Sequence, residues 1–289
     1  MISFQRILFP VDFSDQCAAV VPSVKAWAAR CNAHVTLLHV IDVPSAGIGI
    51  AAAEGQAWAT LINADRLREQ GKVSLDHFAS RYFPGMAVTT ESAEGDPATL
   101  IVDCAQTARA GLIMMPTSGR GKFRRFLLGS VTAKVLHDTA TPVWTAVHAD
   151  DTPDHTPDHW KSLVCALDDR TDGARVLKWT SEFASQQKLD VTLVHAVGSP
   201  NDWETTPQLR AFLLDVARER IEKLQAEAAT QFRACLEVGN AGEIVHKAAL
   251  AHNADLVVIG RGLIQKHFGR LRSEAYEIIR DSPSPVISV

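Results

Sequence analysis

The chain of 289 residues is 46% hydrophobic and 21% charged, with a net charge of -4, which suits two globular domains of roughly 150 residues each. These proportions exclude a disordered or collagenous chain, and the charge is too mild to call for nucleic acid or a membrane surface as partner. No apolar run approaches the roughly 20 residues that cross a bilayer, and Met1–Arg6 carry no basic region ahead of an apolar stretch, so the expected compartment is the cytoplasm.

In chain order, residues 5–11 form a short apolar run that reads as a buried strand. Residues 15–31 have helical spacing, with Ser14 or Asp15 placed to cap the free amides at the helix start. A strand over 35–41 and a long amphipathic helix over about 56–82 follow. Strand 87–91, helix 97–108, strand 112–116, helix 128–138 and strand 142–147 complete the first half. Strands that alternate with helices imply parallel pairing with right-handed crossovers. Runs such as Leu112-Ile113-Met114-Met115 fit strands covered on both faces.

The second half reads the same way because the chain repeats itself. Ile7–Asp12 recurs as Leu163–Asp168, and Val35–Val40 recurs as Val191–Ala196, both at an offset of 156. Ala110–Met115 then recurs as Ala254–Ile259 at an offset of 144, so the second copy is about 12 residues shorter in its middle. His137–Val143 matches Arg280–Val286. Polar, proline-bearing Asp150–His159 lacks periodicity. The division is therefore 1–148, a linker over 149–159, and 160–289, giving an α/β chain of two tandem open parallel-sheet domains of about five strands each. The closing strands, 142–147 and 285–289, are expected to pair with each other inside one chain.

The five cysteines, Cys17, Cys31, Cys104, Cys165 and Cys235, are odd in number and form no C-x-x-C pair. This argues against a disulfide framework and a zinc site and reads as small core residues. No metal site is expected, although His155 and His159, each preceded by Asp, lie in the linker. His39 and His195 occupy equivalent strand positions and read as packed residues. Gly47-Ile48-Gly49 reads as a plain loop or a lid.

In an open parallel sheet, ligands bind outside the carboxyl ends of the strands, where strand order reverses. The residues to weigh are Asp12 after the first strand, Val40, Ile41 and Asp42 after the second, Gly95-Asp96-Pro97 before the third helix, and Pro116–Val131 after the fourth strand. The last segment has the makings of an anion site. Gly119 and Gly121 let the backbone approach an anion without a Cβ in the way. Gly129-Ser130 opens a helix, where free amides and the helix dipole favour negative charge. Arg120, Lys122, Arg124 and Arg125 add positive charge in the same loop. It is not a P-loop, because G-x-x-x-x-G-K-[ST] is absent. The alternatives stay open: turn glycines only, a capping carboxylate at Asp12, and a solvated basic loop.

Gly119 followed after nine residues by Gly129-Ser130 resembles the signature of nucleotide-binding universal stress proteins, glycine–two–glycine–nine–glycine–Ser/Thr. The Pro10-Val11-Asp12 start, the Leu37-Leu38-His39-Val40 strand, the Gly95-Asp96-Pro97 turn and the Thr141-Pro142-Val143 end agree, and the resemblance covers the chain twice. It implies a Rossmann-like fold of the adenine nucleotide alpha hydrolase type. It further implies that Asp12, with Pro10, Val11 and the backbone of Val40, holds adenine and ribose, and that Met115-Pro116 lies by the ribose. Gly119, Arg120, Gly129, Ser130 and Val131 would hold the phosphates of ATP, commonly with Mg²⁺. Pro116 departs from the pattern, since it stands at the first glycine and has no amide to offer. In the second half Arg272 stands where Gly129 does, so that half reads as a mainly structural partner.

No G-x-S-x-G, H-E-x-x-H or recognisable nucleophile–base pair is present. Three functional readings follow: an ATP-binding sensor or regulator of the stress response, a scaffold or chaperone-like module without nucleotide, and a slow ATPase or self-phosphorylating protein. The resemblance implies an intrachain pseudo-dimer, with a further homodimer left open.

Overall fold

Among the described residues ten short runs become strands and eight longer ones become helices in the computed structural model. It describes residues 2–41, 57–117, 128–146, 160–168, 172–198, 206–261 and 274–289, with backbone alone for 57–64. The expected linker 149–159, Gly47-Ile48-Gly49, Asp42, the basic loop with Gly119 and Arg120, and the second-half segment around Arg272 lie outside the described residues.

In the first half β1 (Arg6–Pro10), α1 (Asp15–Cys31), β2 (His34–Ile41), α2 (Ala57–Tyr82) and β3 (Val88–Glu94) precede α3 (Pro97–Thr107), β4 (Leu112–Pro116), α4 (Ser130–Asp138) and β5 (Val143–Ala146). The second half runs β6 (Ser162–Ala166), α5 (Gly173–Gln187), β7 (Asp190–Val197), α6 (Pro207–Glu227) and β8 (Arg233–Val238). It ends with α7 (Ala241–Ala251), β9 (Leu256–Ile259), α8 (Glu274–Asp281) and β10 (Val286–Ser288). Helix starts follow from capping. Ser14 Oγ accepts from Cys17 N at 3.1 Å, Asp96 Oδ2 from Thr99 N at 2.9 Å and Asn240 Oδ1 from Glu243 N at 3.0 Å. The turns before α3 and α7 hold Gly95 at φ 140° and Gly239 at φ 149°, a region that L side chains avoid.

The strands form one sheet ordered β3-β2-β1-β4-β5-β10-β9-β6-β7-β8. Within each half every pairing is parallel, and strand order reverses between β1 and β4 and between β6 and β9. The halves join where β10 runs antiparallel to β5, with Ile287 opposite Trp144, so the expected pairing inside one chain is present. Edge strand β3 runs three residues beyond the expected 91, through Ser92-Ala93-Glu94. It pairs with β2 alone, and polar residues are compatible with an edge open to water.

Alternate residues of each strand feed two cores, one on each face of the sheet. The first carries an aromatic group that spans both halves. Phe4 meets Trp27 edge-on at 5.3 Å, Trp27 meets Trp160 at 5.0 Å, and Phe183 stacks beneath Trp179 at 5.2 Å. Such rings each bury about 150–250 Å² and dominate packing energy, so the seam between the halves is a core in its own right. Cys17 and Cys165 are buried there, and all five cysteines are free thiols.

Candidate functional site

The reversal of strand order between β1 and β4 parts the chain on the two sides and opens a cleft of about 580 Å³. At its floor the Val11 amide donates to Leu38 O at 2.8 Å, and Phe13 turns the chain through φ 61°. That turn brings Asp12 to the start of α1, where its Oδ1 accepts from Ser14 N at 3.0 Å and from Ser14 Oγ at 2.6 Å. Asp12 therefore supports the α1 cap and also lines the cleft.

His39 lines the same cleft. It bonds the Val11 carbonyl through Nδ1 at 2.7 Å and lies 4.4 Å from the Phe13 ring. Below them burial pushes the Cys17 thiol up to about 12, so it is no thiolate nucleophile at neutral pH.

The opposite end is built by the close of β4 and the first turn of α4. Pro116 completes β4 opposite Ala146, and its carbonyl accepts from Thr132 Oγ1 at 3.1 Å. Thr117 N donates to Ala146 O at 3.3 Å, and Gly129 N donates to Thr117 O at 2.7 Å. The Gly129 amide is therefore engaged by the protein itself. Gly129 is the N-cap of α4 at φ -63°, makes no side-chain cap, and is followed by no acidic residue in the first turn. The helix thus turns its partial positive charge and first-turn amides, at Ser130, Val131 and Thr132, toward the cleft.

Nine of the expected residues line this one cleft: Pro10, Val11, Asp12, Val40, Met115, Pro116, Gly129, Ser130 and Val131. Gly119 and Arg120 lie outside the described residues. The wall from α2, where Gln70, Gly71 and Ser74 face the cleft, carries no motif in the sequence, and His39, expected as a packed residue, lines the cleft as well. A signal was present for the wall. Glycine inside a helix costs about 1 kcal/mol against alanine, and a Cβ on Gly71 would stand 3.0 Å from Ile41 and 3.2 Å from His39.

The second half repeats the frame. Leu167 N donates to Val194 O at 2.9 Å, and His195 bonds the Leu167 carbonyl at 2.7 Å. Its cleft, lined by Asp168, His195 and Gly260, has about 240 Å³. Ala217 replaces Gly71, Arg220 replaces Ser74 at the rim, and Glu274 opens α8 where Val131 stands in α4; all three line this smaller cleft. A carboxylate in the first turn already satisfies the preference of the helix end for negative charge.

Among the described residues no group of three or more His, Cys, Asp and Glu could hold a metal ion, and no helix is long and apolar enough to cross a membrane.

A family model described as Universal stress protein family matches residues 3–146 and again 159–289. A universal stress protein of Methanocaldococcus jannaschii is 33% identical over 143 residues, which cover 48% of this chain and 80% of that protein. One of Mycolicibacterium smegmatis is 29% identical over 199 residues, 65% of this chain and 63% of the relative. A crystal structure of a universal stress protein from Archaeoglobus fulgidus superposes with a TM-score of 0.67 at 21% identity. It covers 100% of this chain and 97% of that one, a likeness of fold.

Proposed function

The chain belongs to the universal stress protein family in both of its halves, and on that premise we propose that its first cleft binds an adenine nucleotide and that the molecule acts as a sensor or regulator rather than a catalyst. One observation carries the reading: a single cleft of about 580 Å³ joins the Asp12 carboxylate to the first turn of α4, whose N-cap Gly129 supplies no side-chain cap. Asp12 and the backbone of Val40 suit the adenine and ribose end, with Met115 and Pro116 beside the sugar. At the other end the donors are the Ser130 and Val131 amides and the Ser130 hydroxyl. Gly129 serves by leaving room for the anion, since its own amide is bonded to Thr117. Gly119 and Arg120 would add to the phosphate end. Mg²⁺ would ride on the phosphates of ATP, because the described residues offer no acidic cluster for it.

The engaged Gly129 amide and the missing amide of Pro116 favour a second reading, an interaction scaffold without nucleotide. Thermal unfolding separates the two. Ligand binding stabilises the folded state by RT ln(1 + [L]/Kd). MgATP should raise the melting temperature of the wild type and leave that of Gly129→Arg unchanged, and mass spectrometry of the native protein should find an adenine nucleotide. A wild type without any shift, purified free of nucleotide, establishes the scaffold instead. Radiolabelled ATP with neither turnover nor label transfer excludes the slow ATPase.

A further inference from the structure

Two contacts reach from the second half onto α4, the helix whose first turn closes the first cleft. Arg261, just beyond β9 and next to Gly260 in the wall of the second cleft, is 3% exposed. Its Nε donates to Ser288 Oγ at 3.2 Å. One terminal nitrogen donates to Thr139 O, and the other donates to Thr141 O and to Ser288 O at 2.9 Å. Thr139 is the C-cap of α4. Nearer the start of the same helix, the Tyr276 hydroxyl of α8 donates to Ala133 O at 3.3 Å.

The arrangement has a direction. A cation at the C-terminal end of a helix complements the dipole whose positive end faces the cleft. Burial and nearby Arg175 push the Arg261 guanidinium down to about 9, which still leaves it charged at neutral pH. Its planar fork spans carbonyls of α4's end and of β10, so it fixes position as well as charge. α4 has nine residues, roughly 13 Å along its axis, and is a short rod clamped at its C-cap by Arg261 and about one turn from its start by Tyr276.

We propose that Arg261 and Tyr276 are positioning residues for the first cleft: the second half is the mount that aims the amides of α4 at the anionic end of the ligand. The inference rests on the nucleotide reading above and adds what sets the phosphate end. Neither residue lines the first cleft, whereas Asp12, in the turn after β1, and Val40, on β2, both do. Loosening the mount should therefore weaken recognition of phosphate and spare recognition of the nucleoside.

Calorimetric titration of the full chain with MgATP and, separately, with adenosine tests this in wild type, Arg261→Lys and Tyr276→Phe. Arg261→Lys should weaken MgATP about tenfold and Tyr276→Phe about threefold, with adenosine affinity changed less than about twofold. Equal losses for both ligands, or no loss for either variant, overturn the positioning role. If Arg261→Lys does not fold, Tyr276→Phe decides alone, since it removes one hydroxyl and keeps the ring. A wild type that binds neither ligand sinks the nucleotide reading and this inference together. A wild type that binds, beside variants with an unchanged ATP-to-adenosine ratio, sinks the inference alone.

Discussion

The two clefts share a backbone and differ in a handful of side chains. In both, the residue before the aspartate donates to the neighbouring strand, at 2.8 Å for Val11 and 2.9 Å for Leu167. In both, a histidine returns to that residue's carbonyl at 2.7 Å. Yet the first holds about 580 Å³ and the second about 240 Å³. Gly71 has become Ala217, Ser74 has become Arg220, and Val131 has become Glu274. The duplicated frame supplies a cleft in either case, while the side chains at its wall and at one helix start set how much room and what charge it offers.

The largest expected effect concerns what the halves have in common. Trp144 of β5 faces Ile287 of β10 across the seam, both buried. Trp144→Ala should cost about 3–5 kcal/mol in urea denaturation, within one transition for the whole chain. A second, separate transition would break the picture of two halves welded into one sheet.

Next, Val131→Glu gives the first cleft the carboxylate of the second. MgATP affinity should fall about 100-fold through like-charge repulsion. The melting temperature without ligand should hold or rise slightly, because an acid suits a helix start. Retained affinity would remove Glu274 as a reason for the contrast.

Ser74→Arg copies the rim of the second cleft. It should weaken MgATP and adenosine alike, by about tenfold, since it intrudes on space and leaves the helix start alone. A loss confined to MgATP would place Ser74 at the phosphate end instead.

The smallest effect lies in the caps. α3 starts on Asp96, whose carboxylate also binds Lys134 at 2.8 Å, whereas α7 starts on Asn240, whose amide donates to Glu277 at 2.9 Å. The Lys134 ammonium first, and then the hydroxyl and amide of Thr99, hold the Asp96 carboxyl well below the usual carboxylate range. A lowered pKa stabilises the fold above the unfolded value of about 4 and loses that contribution as pH falls toward the folded one. Asp96→Asn should cost under about 1 kcal/mol at neutral pH, a gap that closes below about pH 4. A gap constant with pH would contradict this assignment.

Much of the frame was legible because duplication prints the same strand twice. Ile7–Asp12 and Leu163–Asp168 located β1, β6 and both aspartates at once, and the closing strands paired as expected. Nine of eleven expected site residues gather at one cleft, since the rule of strand reversal depends on topology alone. Three features escaped. The amphipathic pattern of α2 told which face was apolar, but what Gly71 and Ser74 look across to is set by the crossover. The occupied Gly129 amide depends on how the chain returns from β4, which spacing does not encode. Arg261 finds its partners at Thr139 and Thr141, over a hundred residues earlier in the chain, so no local motif marks it.

The contrast between the clefts is tested most directly by counting ligands: isothermal titration of the full wild-type chain with ATP in the presence of Mg²⁺. One ATP per chain is expected, with binding lost in Gly129→Arg. Two equivalents per chain would contradict the division of labour between the halves, and no heat at any concentration up to about a millimolar would contradict the nucleotide site itself.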